Sequence, residues 1–160
     1  MRKLTIPIPR TTFSNLQRMF PNLFLDVREI PGSEENPRGG REKNAVILFV
    51  DNSKLKCKET YDPDSPIKER YEYFYDWYNE DGILLKKFHA HYHPNGTPAE
   101  ITKYDPWHVH IKLNFADQHG DNRRGVEPGR TIIDVLQEIE GYISIRKFDK
   151  RKSEADKTIK

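Results

Sequence analysis

Five of the six histidines lie in two alternating motifs, His89-Ala90-His91-Tyr92-His93 and His108-Val109-His110, and the sixth, His119, follows closely. Successive strand side chains point to opposite faces of a sheet, so residues at i, i+2 and i+4 share a face. Read as neighbouring strands, the two motifs gather five imidazoles within a few ångströms of one another on one surface. The intervening Phe88, Ala90, Tyr92, Trp107, Val109 and Ile111 supply the buried surface. Neutral imidazole is a metal ligand, and a tuned one is a general acid or base near pH 7.

Three chemistries suit that face. In the first, RNA is cleaved without a cofactor, because the substrate supplies its own 2′-hydroxyl nucleophile. The catalytic candidates are then His91, His110, His89, His93 and His108, with His91 and His110 as the central pair. Lys87, Lys112, Arg123, Arg124 and Tyr104 are the substrate-binding candidates, and His119 contributes from a loop. In the second, His89, His91, His108 and His110 chelate zinc or another divalent metal, such as iron or manganese, with Asp105, Asp76 or Glu72 completing or supporting the set. In the third, the histidines are the polar outer face of a non-catalytic RNA- or protein-binding sheet.

The positioning elements follow from periodicity. A capped helix is expected from Thr11-Thr12-Phe13-Ser14 through Phe20, stopped by Pro21. Strands are expected over residues 23–30, 45–50, 55–60, 69–78, 83–93 and 107–114, with an extended piece at 100–104. Residues 31–43 and 117–130 read as loops. In the hairpin around Gly82, an even loop pairs Tyr78 with Ile83, Asp76 with Leu85 and Glu72 with His89. A bulge at Gly82 would instead bring Tyr71, Tyr73 and Tyr75 to the histidine face. Pairing of the last two strands sets His93 against His108 and His91 against His110. Thr131-Ile132-Ile133-Asp134 resembles a capping box, and Ile132, Val135, Leu136, Ile139, Tyr142 and Ile143 form a stripe at helical spacing. These parts predict an α+β fold: a single, mostly antiparallel sheet, a short N-terminal helix, and a C-terminal helix packed on one face.

With 160 residues, 35% hydrophobic and 11% aromatic, the chain is long enough for one aromatic-rich core. Residues 1–145 read as that domain. Residues 146–160 read as a flexible tail, with seven Lys/Arg against three Asp/Glu. A net charge of +2 does not by itself indicate nucleic acid. The single Cys57 excludes an internal disulfide and multi-cysteine zinc sites, and alternation points it into the core. No leader pattern and no apolar run of membrane length is present, so a cytoplasmic, soluble protein is expected.

The middle of the chain resembles the TumE family of toxins from bacterial and archaeal toxin–antitoxin operons. The resemblance rests on Tyr71-Glu72-Tyr73-Phe74-Tyr75-Asp76-Trp77, Lys87-Phe88-His89-Ala90-His91-Tyr92-His93, Pro106-Trp107-His108-Val109-His110-Ile111-Lys112 and residues 131–139. It spans roughly residues 45–140. Where the family reads Arg-Tyr-Asp-Asn before its histidines, this chain has Lys87-Phe88-His89-Ala90, with Tyr104-Asp105 the available substitute. The resemblance implies a toxin acting on RNA or translation and a cognate antitoxin as partner. The length leaves both a monomer and a homodimer open.

Overall fold

The structure is a computed structural model describing residues 2–31, 39–114, 117, 120 and 122–159. Strands β1 (Phe24–Ile30), β2 (Arg41–Phe49), β3 (Lys54–Tyr61), β4 (Arg70–Tyr78), β5 (Leu84–Ala90), β6 (Trp107–Ile111) and β7 (Asn122–Gly125) form one antiparallel sheet in sequence order. Tight hairpins join β2 to β3 and β4 to β5, longer connections join the other neighbours, and the result is a meander. The chain divides into two compact units, residues 1–130 and residues 131–160. The fold class is the expected α+β.

In the first unit, alternation puts Ala45, Ile47, Phe49, Leu55, Cys57, Tyr73, Tyr75, Trp77, Phe88, Ala90, Trp107 and Val109 on the buried face. The Tyr73 and Tyr75 rings stack at 4.5 Å. Burial pushes the Cys57 thiol well above its ordinary pKa, which leaves it a small apolar core residue. The N-terminal segment runs over this face: the Trp107 indole donates to Thr5 Oγ1 at 2.9 Å, and Leu4, Ile8, Phe13, Leu16 and Phe20 are buried. Its helix is shorter than expected, a 3-10 turn at Phe13–Asn15 followed by α1 (Leu16–Met19). Thr12 makes no side-chain cap. Thr11 instead gives its N–H (2.8 Å) and hydroxyl to Glu59, a carboxylate buried in the core. Glu59 also holds Arg70 at 3.1 Å and the Tyr75 hydroxyl at 2.5 Å, so the charge is paired and its lone pairs are filled.

Three further expectations are corrected. The extended piece at 100–104 is replaced by α2 (Ala99–Thr102), because Pro98 sits where a missing N–H costs nothing and Ala-Glu favour helix. The loop at 117–130 contains β7, whose four residues are too short and too charged to show alternation. The histidine strands are also shorter than expected, ending at Ala90 and Ile111.

The second unit is α3 (Ile132–Ile159). Thr131 and Asp134 cap it reciprocally: Thr131 N–H donates to Asp134 Oδ2 at 2.7 Å, and Ile133 N–H donates to Thr131 Oγ1 at 3.2 Å. Ile132, Val135, Leu136, Ile139 and Ile143 are buried, whereas Tyr142 is half exposed beside Arg146. The segment set apart at 146–160 continues this helix to Ile159.

Candidate functional site

Parity delivers the histidines to one face, although the register differs from the expected one. In the β4–β5 hairpin, Tyr78 pairs with Leu84, and a further irregularity brings Asp76 opposite Lys87 and Phe74 opposite His89. The two shifts together move the pairing by two residues. An even slip restores every side chain to its face, so the tyrosines stay in the core and Phe74 and Asp76 join the histidines. Between β5 and β6 the partners are His89–His108 and Lys87–His110, rather than His93–His108 and His91–His110. The expected central pair, His91 and His110, is therefore not a cross-strand pair. The reason lies in residues 91–106: β5 leaves the sheet at Ala90, and α2 takes up chain that a tight hairpin would have put into pairing.

The five rings form a contiguous cluster. Centroids are 4.7 Å apart for His89–His110, 4.9 Å for His91–His108, 4.5 Å for His91–His93, 5.1 Å for His108–His110 and 5.7 Å for His89–His108. Phe74 lies against both His89 and His91 at 4.8 Å. His89, His108 and His110 are buried, and His91 and His93 are partly exposed. His119 lies outside the described residues.

Hydrogen bonds fix which nitrogen carries the lone pair in His89, His93, His108 and His110. His89 Nε2–H donates to Asp76 at 2.8 Å, His108 Nδ1–H to the Pro106 carbonyl at 3.1 Å, and His110 Nδ1–H to the Gly120 carbonyl at 3.0 Å. The opposite nitrogens, His89 Nδ1, His108 Nε2 and His110 Nε2, are buried without a hydrogen-bond partner. His93 is held by Asp105, which takes its Nδ1–H at 2.8 and 2.9 Å and its backbone N–H at 2.9 Å. Burial, reinforced by the neighbouring imidazoles, pushes His91 down to about 2. The same causes push His110 to about 3, where Arg123 contributes. His108 falls to about 4, with Asp105 and the Pro106 carbonyl partly opposing burial. These three imidazoles are neutral at pH 7, so each offers a lone pair.

The basic candidates divide. Lys87 and Arg123 both pair with His110 and share the histidine face, whereas Arg124 pairs with Val109 and is exposed. Lys112 follows the end of β6. Tyr104 covers the His108 end: a Cβ built on Gly125, the cross-strand partner of His108, would come within 2.9 Å of its ring. Gly125→Val should therefore displace Tyr104 and lower stability by about 1–3 kcal/mol, the usual cost of overpacking. An unchanged thermal midpoint would contradict that packing.

Sequence reasoning missed Arg2. Its guanidinium lies 4.0 Å from the centre of the Tyr92 ring, and with Tyr71, Glu72, Tyr92 and His93 it lines a groove of about 400 Å³. No local signal marks it, because the N-terminal segment is brought there by long-range contacts such as Leu4 N–H to the Arg70 carbonyl, Arg70 N–H to the Ile8 carbonyl and Lys3 to Glu69. A second groove, of about 560 Å³, includes Val46, Lys56, Lys58, Phe74 and Asp76 in its lining.

A family model described as Toxin TumE matches residues 16–143, most of the chain. The chain belongs to the TumE toxin family. Comparison with curated proteins and with solved structures gave no match. Membership makes this a toxin of toxin–antitoxin type, with a cognate antitoxin as its partner. No helix among the described residues is long and apolar enough to cross a membrane. In this TumE-family chain, Asp105 places a carboxylate beside His93.

Proposed function

We propose that this TumE-family toxin acts on RNA in the cytoplasm, cleaving a phosphodiester at the His93 end of the histidine face. The observation that carries this reading is the His93–Asp105 pair opening onto a groove with a cation and two aromatic rings. Asp105 takes the Nδ1–H, so the lone pair sits on Nε2. That arrangement suits a base for the substrate's 2′-hydroxyl. The freed oxygen attacks phosphorus, Arg2 stabilises the charge that develops, and the departing 5′ oxygen is protonated from solvent in the open groove. Tyr71 and Tyr92 offer faces for unstacked bases, as single-stranded RNA recognition requires.

Lys87 and Arg123 have a separate role. Both are cross-strand partners of His110, whereas His93 lies against His108, two residues earlier on β6. Both cations therefore meet a different phosphate of an extended strand from the one being cleaved. Lys56 and Lys58, in the second groove, continue the basic track.

The test is expression in a sensitive host with and without the adjacent antitoxin gene. Growth arrest with fragmented RNA, relieved by the antitoxin, is the expected result. Arrest with intact RNA would overturn the RNA reading.

A further inference from the structure

The buried end of the cluster is not explained by acid–base chemistry at His93. His89, His108 and His110 are anchored through one nitrogen to a carboxylate or a backbone carbonyl, and the other nitrogen of each is buried without a partner. A buried acceptor left unsatisfied is costly. Three in contact, on two adjacent strands, call for a shared partner. A proton cannot serve all three. A small cation that accepts lone pairs can.

The anchoring pattern is also the one metal-binding histidines show, since a ligating imidazole donates its second N–H to a carboxylate or carbonyl that fixes its tautomer and aim. Asp76 does this for His89, Pro106 for His108 and Gly120 for His110. The φ of +61° at Gly120 lies in a region that disfavours side chains. Among the described residues, His89, His91 and His108 each bring a ring nitrogen within 4.8 Å of the others. Ligands about 2.0–2.1 Å from a tetrahedral ion stand about 3.3–3.4 Å apart, a closure that side-chain rotation provides.

We propose that this cluster is a divalent transition-metal site, with His89, His91 and His108 as ligands and His110 beside them as the fourth. All-imidazole coordination without thiolate suits zinc and its first-row neighbours rather than magnesium or calcium. Bound there, the ion would tie β5 to β6 and set a positive centre beneath the histidine face. The site stands independently of whether the substrate is RNA.

The test uses the full chain, stripped with chelator and titrated with Zn²⁺, and separately with Co²⁺ to read the ligand-field absorption. One equivalent should bind, with a rise in thermal midpoint and a Co²⁺ spectrum typical of nitrogen ligands in a tetrahedral field. His108→Ala should abolish stoichiometric binding. Asp76→Ala, which removes only the anchor of His89, should weaken it about 10–100-fold, and circular dichroism should show both variants folded. Absence of binding by the parent protein, or parent-like binding by a folded His108→Ala or Asp76→Ala variant, would overturn the site. Metal binding with RNA left intact would keep the site and remove the RNA reading. Cleavage that persists with no metal bound under any condition would do the reverse.

Discussion

His93→Ala should lower the rate of RNA cleavage about 10²–10⁴-fold, the usual worth of a positioned base. The loss should fall on kcat rather than KM, because Arg2, Tyr71 and Tyr92 remain to bind the strand. Folding should change little: Asp105 keeps the backbone N–H of residue 93 as a partner, and His93 is partly exposed. Asp105→Ala should reduce the rate as well, since it frees the imidazole from its orientation. A folded His93→Ala variant with parental activity would move the chemistry away from this end of the face.

Arg70→Ala should cost about 3–5 kcal/mol, because it strips the charge partner from a carboxylate with no exposed surface. Against a typical total of about 5–15 kcal/mol, that loss would leave a substantial unfolded fraction. Thr11 and Tyr75 would still donate to Glu59, but neither neutralises it. The paired replacement Arg70→Met with Glu59→Leu should recover part of the loss, since it removes the unpaired charge but leaves the Thr11 and Tyr75 donors without their acceptor. Denaturant midpoints of the single and double variants provide the measurement. A double variant no more stable than Arg70→Ala would show that the network, rather than the unpaired charge, carries the stability.

Face and register were not equally legible in the sequence. Alternation assigns Phe88 and Trp107 to the core and His89 and His108 to the opposite side, and the faces hold because the two one-residue shifts between β4 and β5 add to an even slip and the slip between β5 and β6 is even too. The slips themselves depend on the irregularity at Trp77/Tyr78 and on α2 within residues 91–106. Neither has a hydrophobic period to announce it. The opposite roles of Arg123 and Arg124 needed the register of β7, a strand of four residues. The partition of the tyrosine stripe was likewise hidden: Tyr73 and Tyr75 stack in the core, while Tyr71 turns to the groove with Arg2. Chemistry carried by residue type was visible, and chemistry carried by the N-terminal segment crossing β4 was not.

The proposed cleavage by the RNA's own 2′-hydroxyl would leave a distinctive end group. Incubating the purified protein with RNA and analysing the new 3′ ends tests it directly. Fragments ending in 2′,3′-cyclic phosphate are expected, and no cleavage when the target nucleotide carries a 2′-deoxyribose. Intact RNA, or cleavage that continues at a 2′-deoxy position, would contradict it.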